Sequence, residues 1–346
     1  MSLDVSVMVT GGAGYIGSHA VQRLLRDGAR VVCVDNMSRG CMGAIDRLAE
    51  LGKDRFAFAE HDIGDRVSVA RLLADHRVGV IMHFAALAMV GESVDEPLTY
   101  YRNNTAGVVE LLEAADEARV ERFVFSSTCA TYGEPSDEHV PIPEHCPQAP
   151  INPYGASKLH VERMLSDFAD AKAKRGEAFS YAALRYFNVA GADRTGVLGE
   201  DHDPETHLIP VVIQAALGKR DGVKIFGTDY PTPDGTCVRD YVHVEDLIDA
   251  HVEVMHALRA NDRRFYNLGI GKGYSVREII DAVQRVTGVD FAVGEGERRP
   301  GDPPRLFADP TKIQQELNWR ASITDLDEII GSAWNWFRAH PNGYEG

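Results

Sequence analysis

Tyr154 and Lys158 stand four residues apart in the stretch NPYGASKLHVERM, residues 152–164. Four residues is about one helical turn, so the two side chains share a face of any helix that starts here. A phenol with its ordinary pKa of about 10 does little acid/base work at neutral pH. An ammonium held beside it favours the phenolate and makes the tyrosine a usable base. Spacing alone fits equally a partly buried tyrosine beside a solvated lysine, so the surroundings of the pair have to decide.

A second pattern supplies those surroundings. In VMVTGGAGYIGSHAVQRLL, Gly11, Gly14 and Gly17 fall between a β-branched run and a helical pattern, and the next β-branched run, RVVCVD, ends in Asp35. Strand, glycine turn, helix and an acid closing the next strand make up a dinucleotide-binding fingerprint. The glycines let the backbone approach a pyrophosphate seated on the amides of the helix N-terminus. Asp35 can accept hydrogen bonds from ribose hydroxyls and would repel a 2′-phosphate, which favours NAD over NADP; nearby Arg39 pulls the other way. Thr128 closes a later strand pattern, RFVFSST, and can present a hydroxyl at the same sheet edge as Tyr154 and Lys158. A tyrosine of lowered pKa beside a nicotinamide is what alcohol oxidation needs: the base takes the hydroxyl proton while hydride leaves the same carbon. Lys158 would also hold the nicotinamide ribose.

The elements that must position these groups read as an α/β fold. Short apolar runs at 5–10, 30–35, 55–62, 78–86, 122–128 and 179–188 alternate with helical patterns, as in a doubly wound parallel sheet covered by helices on both faces. After about residue 190 the rhythm breaks into loops rich in glycine and proline, which predicts a smaller C-terminal α+β lobe. The expected division is a first domain over 1–189, to which 241–265 returns, and a second mainly over 190–346. Trp334 and Phe337 are spaced as one apolar face of a last helix, and read as core.

Composition bounds the partners. Hydrophobic residues are 44% of the 346 and the net charge is −16, so a packed core is expected while a general nucleic-acid or membrane-surface binder is not. No apolar run is long enough to span a bilayer, and the first residues show no signal-peptide pattern. Cys33, Cys41, Cys129, Cys146 and Cys237 are scattered and odd in number, which suggests a reducing compartment; a cytoplasmic protein is expected. His202 and His207 lie among carboxylates in GEDHDPETHLIP, read here as a polar surface loop, and no metal site is expected.

The motifs TGGAGYIGSH, HFAALAMVGES, YYRNNTAG, SSTCATYGEP, PYGASK, LRYFNVAGAD, IFGTDYPTPDGTCVRDYVHVEDL and RRPGD, in this order, run through almost the whole chain. On them the sequence resembles the extended short-chain dehydrogenase/reductases with a Rossmann domain, and more narrowly the UDP-glucose 4-epimerases; SSTCATYGEP and INPYG look like the subgroup that includes UDP-arabinose 4-epimerases. The resemblance implies transient oxidation of a UDP-sugar at carbon 4, rotation of the 4-keto sugar and return of hydride to its other face, in a homodimer joined through helices near 97–118 and 154–174. It implies an NAD site lined by Gly11, Gly14, Tyr15, Ile16, Gly17, Asp35, Asn36, Asp62, Ile63, Phe84, Ala85, Ala86, Asn103, Lys158 and Phe187. Thr128 and Tyr154 would engage the reacting hydroxyl, and Asn188, His207, Leu208, Phe226, Arg239, Tyr241, Arg299, Asp302 and Leu306 the UDP-sugar. Ala88 stands where some epimerases carry a lysine, and Leu306 at the position that gates the sugar pocket. A related dehydratase would need an extra acid and base after Thr128, where Cys129 and Ala130 stand, and a catalytically silent NAD binder would need neither Tyr154 nor Lys158.

Overall fold

The computed structural model describes residues 6–299 and 302–345. Internal contacts divide the chain into two units, Met1–Gly133 with Gln148–Arg185 and Ile248–Tyr266, and Glu134–Pro147 with Tyr186–Leu247 and Asn267–Gly346.

In chain order the elements before the first strand break are β1 (Ser6–Thr10), α1 (Tyr15–Arg26), β2 (Val31–Asp35), α2 (Met42–Gly52), β3 (Phe56–Glu60), α3 (Arg66–Asp75), β4 (Val78–His83), α4 (Val90–Asp95), α5 (Pro97–Tyr100), a π-helical turn (Tyr101–Ala106), α6 (Gly107–Glu117), β5 (Arg122–Thr128), α7 (Pro153–Lys174) and β6 (Ser180–Tyr186). There follow β7 (Asn188–Ala190), α8 (Leu208–Ala216), β8 (Gly222–Phe226), β9 (Val238–Arg239), β10 (Tyr241–His243), α9 (Val244–Ala257), β11 (Arg263–Leu268), β12 (Tyr274–Ser275), α10 (Val276–Thr287), β13 (Ala292–Gly296), β14 (Arg305–Leu306), α11 (Thr311–Leu317) and α12 (Leu326–Ala339).

The first unit is built on a seven-stranded sheet in the order β11-β6-β5-β4-β1-β2-β3. The pairings of β1 with β2 and β4, of β2 with β3 and of β4 with β5 are all parallel. Every residue of β1 and β2 is buried, as continuous apolar strands require when helices cover both faces. Val69, Leu73, Leu111, Val161 and Leu165 pack with Met8, Val32, Ile81 and Phe123 in one core. The order reverses between β1 and β4, so the chain leaves their carboxyl ends in opposite directions and opens a crevice there, where doubly wound sheets bind ligands.

The second unit holds three small sheets, β10-β7, β12-β9-β14 and β13-β8, against a helical core of Ile209, Val212, Ile213, Ile279, Val283, Ile329 and Ile330 from α8, α10 and α12. In the last helix the fully buried aromatic is Trp336, at 1% exposure. Trp334 and Phe337 are partly buried and packed on the same core, so the apolar stripe is centred beside the pair that spacing singles out.

The structure corrects three element boundaries. The run 78–86 leaves the sheet after His83, and 55–62 ends at Glu60. The run 179–188 is two strands, β6 and β7, with Phe187 between them, and β7 pairs with β10 in a separate sheet. The seventh strand, RRFYNL, carries two arginines at its start and shows too little alternation to be read from sequence. Among the described residues no helix is long and apolar enough to cross a membrane.

Candidate active site

The turn after β1 is shaped by what glycine alone tolerates. Gly11 has φ +73°, and a Cβ on it would lie 2.5 Å from the Ala85 amide nitrogen and 2.8 Å from the Phe84 carbonyl carbon. A side chain there would push apart the two chain segments that leave β1 and β4. A Cβ on Gly17 would lie 2.1 Å from the Gly11 carbonyl oxygen, so α1 can sit on the turn only with glycine at this position. Gly14 differs: its Cβ would meet nothing closer than 3.4 Å, and the missing side chain simply keeps the amino end of α1 open. That end, begun by Tyr15 and Ile16, has no side-chain cap and no acid in its first turn. A positive helix end without a side-chain cap suits a pyrophosphate.

The neighbouring groups fit the adenosine half of a dinucleotide. Asp35 is buried, and its carboxylate accepts from the Ala13 amide at 3.0 Å and the Met37 amide at 2.9 Å. Burial raises its pKa, and these two donors hold it down in part. A carboxylate has about four acceptor sites, more than two amides use, so ribose hydroxyls can still be accepted. Arg39 is ion-paired with Glu92 at 2.6 Å, and Glu92 also accepts from the Tyr100 hydroxyl at 2.9 Å. The cation that argued for a 2′-phosphate is thereby neutralised. Asn36 donates to Asp62 at 2.7 Å, the second Asp62 oxygen accepts from the Gly64 amide, and Ile63 is buried beside them. Phe84 lies tilted against His251, ring centres 5.0 Å apart, and Ala85 and Ala86 follow it, partly exposed. Asn103 donates to Asn104 at 2.8 Å.

The candidate catalytic groups lie around the end of β5. Helix α7 begins with Pro153 after Asn152, whose side chain accepts from the Gly155 amide at 2.8 Å, a proline start with a capped end. A Cβ on Gly155 would stand 2.4 Å from the Ala130 carbonyl oxygen. The missing Cβ lets the first turn of α7, with Tyr154, rest on the short turn Cys129–Tyr132 that follows Thr128. Thr128 is buried and its hydroxyl oxygen accepts from the Ala130 amide at 3.2 Å, leaving its proton to donate. One helical turn past Tyr154, Lys158 is buried, donates to the Ser126 carbonyl at 2.8 Å and lies 5.0 Å from the centre of the Phe125 ring. Burial lowers its pKa to about 7. His83 also stacks on that ring at 5.8 Å; burial first, and then the Lys158 charge, bring it down to about 3, so it is neutral.

Sequence reasoning missed the residues that hold this face in place. Glu162, one turn past Lys158, is buried with Arg185 of β6, which donates to it at 2.6 and 2.9 Å. Glu162 also accepts from Ser127 at 2.6 Å and Gln148 at 3.0 Å, while Arg185 donates to the Tyr132 hydroxyl at 2.8 Å. Thr128 is thus flanked on both sides by one buried polar network. Two signals for it exist in the sequence: Glu162 continues the four-residue spacing of Tyr154 and Lys158, and Arg185 interrupts an apolar strand, where a charge must be paired. Asn104 also went unread beside Asn103. It bonds both backbone groups of Leu87 at 2.9 Å and Ser157 at 3.1 Å, fixing the segment after β4 to α7.

The remaining sequence-selected residues lie in the second unit, in two groups. Arg239 and Leu306 are partners across β9 and β14, and Arg239 is ion-paired with Asp302, which also accepts from the Cys237 thiol at 3.6 Å. The guanidinium of Arg299 lies 4.2 Å from the centre of the Phe226 ring at the end of β8. Tyr241 is buried and Asn188 bonds the Asp240 carbonyl through its backbone and side chain, next to Phe187, also buried.

Leu208 opens α8, and His207 before it requires a correction. The loop 199–207 is not simply polar surface: Glu200 and Glu205 are buried, and the His207 Nδ1 is held 3.0 Å from each. Two buried carboxylates need partners, and the His207 ring is committed to them.

The sequence model of the NAD dependent epimerase/dehydratase family matches residues 7–269. A UDP-glucose 4-epimerase of Lactobacillus helveticus is 45% identical over 342 residues, 99% of either chain. "Probable UDP-arabinose 4-epimerase 3" of Oryza sativa subsp. japonica is 47% identical over 346 residues, covering 98% of this chain and 83% of that protein. Among solved structures, a UDP-glucose-4-epimerase from Stenotrophomonas maltophila with bound NAD and formylated UDP-arabinopyranose superposes with a TM-score of 0.92 at 40% identity, over 97% of this chain and 99% of that one.

Proposed function

The chain belongs to the NAD dependent epimerase/dehydratase family, and from that premise we propose that it interconverts UDP-glucose and UDP-galactose by reversible oxidation at sugar carbon 4. The observation that carries the reading is the convergence of Thr128, Tyr154 and buried Lys158 at the end of β5, in the same unit as the uncapped α1 turn. NAD, held by the glycine turn, Asp35, the Asn36–Asp62 pair and Lys158, would supply the acceptor and then the donor of hydride. Thr128 orients the 4-hydroxyl by donating or accepting a hydrogen bond. Tyr154 takes the proton of that hydroxyl as the carbon is oxidised, and gives it back when the ketone is reduced from its other face. Lys158 sits on the same helix face, one turn from Tyr154, and in its protonated form favours the phenolate. Arg239 and Arg299 are the fork-shaped cations suited to a diphosphate, and Asp302 can accept from uridine ribose hydroxyls.

The same chemistry on a UDP-pentose is the second reading, favoured by the high identity to the arabinose-directed relative. Incubating the purified protein with UDP-galactose, and separately with UDP-arabinose, without added NAD, and resolving the products by chromatography, separates them. Conversion of the hexose with no NADH accumulating supports the first reading; conversion of the pentose alone replaces it with the second. Activity only after adding NAD would trace weak retention to the segment with Ala88.

The reading includes a cytoplasmic homodimer. Supporting the dimer, Leu98 of α5 and Val109 of α6 are 73% and 41% exposed, more apolar surface than these helices need leave to water. Sedimentation showing monomer alone at micromolar concentration would reject it. The five cysteines form no disulfide, which suits a reducing compartment.

A further inference from the structure

The loop Glu200–His207 brings four ligand-type side chains to one point. Glu200, His202, Glu205 and His207 each offer one nitrogen or oxygen, and these four atoms lie within 4.8 Å of one another. The two imidazoles do not pair off with one glutamate each. His207 Nδ1 is 3.0 Å from both Glu200 and Glu205, and His202 Nδ1 is 3.1 Å from Glu200 and 3.7 Å from Glu205. A tetrahedral ion bound at about 2.0–2.1 Å puts its ligand atoms about 3.3–3.4 Å apart; three of the separations are a few tenths shorter, the 3.7 Å one runs to the other oxygen of Glu205, and small side-chain shifts would bring one atom of each residue to that spacing.

We propose that Glu200, His202, Glu205 and His207 form a binding site for a divalent cation of the zinc class. The charge balance fits: two carboxylates, 4% and 8% exposed, face no lysine or arginine within ion-pair distance among the described residues, and a divalent ion cancels them. Two imidazole nitrogens and two carboxylate oxygens are a zinc ligand set. The histidine side chains, 31% and 48% exposed, give the ion a path from solvent. The loop is held from outside, where Trp336 donates to the Glu200 carbonyl at 3.2 Å and the Tyr344 amide to Asp201 at 3.0 Å, and from within, where the Thr206 and His207 amides donate to Glu205 at 2.7 Å each. Such outer contacts orient ligands before the ion arrives. A bound ion would fix the segment that runs into Leu208; its effect on sugar binding rests on the reading given above, but the site itself does not.

The test uses the full chain, stripped with a chelator and titrated with zinc alone against a chromophoric competitor, followed by X-ray absorption at the zinc edge. The proposal predicts one zinc per chain, a first shell of nitrogen and oxygen only with imidazole scattering, and a melting temperature that climbs by a few degrees with free zinc. Losing outer-shell partners alone costs about 10–100-fold in affinity, so His202→Ala with His207→Ala should lose at least that much. No zinc retained at micromolar concentration would overturn the site, leaving a plain double ion pair. Sulfur in the first shell would also overturn it, by placing the ion on a cysteine, as would full stoichiometry in the histidine variant. If that variant does not fold, the absorption spectrum of the unaltered chain decides alone. None of these outcomes depends on which sugar, if any, the protein turns over.

Discussion

Two helices open at the carboxyl edge of the sheet, and their first turns are built in opposite ways. The first turn of α1 has no side-chain cap, no acid and an open glycine, whereas that of α7 is capped by Asn152, begins with a proline and is pressed onto the Ala130 carbonyl. In the proposed reading the backbone of α1 is the functional group, offering its positive end to an anion. In α7 the first turn is fixed, and the proposed reading gives the chemistry to the side chains it carries, Tyr154 and Lys158. On that reading one end binds by being open, and the other catalyses by being fixed.

The largest expected effect falls on α7. Tyr154→Phe should cut kcat by about 10²–10⁴-fold while NAD binding, followed by fluorescence, stays unchanged; equal losses in both would erase the distinction between the helices. Lys158→Met should lower kcat on the order of a hundredfold and should also change stability against pH. Burial depresses Lys158 from 10.5 to about 7, so between those values the unfolded chain holds a proton that the folded chain has released. Stability therefore rises with pH across that window, and denaturant titrations of Lys158→Met should show this rise reduced.

Smaller effects sharpen the contrast within α1. A Cβ at Gly17 meets the Gly11 carbonyl at 2.1 Å, while one at Gly14 meets protein no closer than 3.4 Å. Gly17→Ala should destabilise the fold by about 1–3 kcal/mol. Gly14→Ala should leave the melting temperature unchanged and weaken NAD binding roughly tenfold, about 1.4 kcal/mol. Smallest of all, Asn152→Ala should cost about 1 kcal/mol of stability and a few-fold in kcat, with NAD affinity intact.

What could be read from sequence divides along the same line. The positions of the glycine turn, Asp35, Thr128, Tyr154 and Lys158 are legible because each is set by a local constraint: a backbone that admits no Cβ, a strand end, a helical spacing. Six strands of the large sheet were legible for the same reason, being continuous apolar runs. The seventh was not, because RRFYNL has no clean period, and neither was the break at Phe187, which depends on pairing with the distant β10. Glu162, Arg185 and Asn104 stayed hidden because their roles exist only once β5, β6 and α7 are assembled. The reading of loop 199–207 as polar surface fits Asp203, Pro204, Thr206 and His207, which are exposed, but not Glu200 and Glu205, which are buried; at Glu200 the contact is with distant Trp336, which the loop's own composition does not announce.

The central claim is that Thr128, Tyr154 and Lys158 serve a hydride that leaves carbon 4 and returns to it. UDP-galactose carrying deuterium at carbon 4 should be converted, with the product analysed by NMR. The account predicts UDP-glucose with the deuterium retained at carbon 4. Loss of the label to water would contradict it, because the carbon would then have given up a proton instead of a hydride.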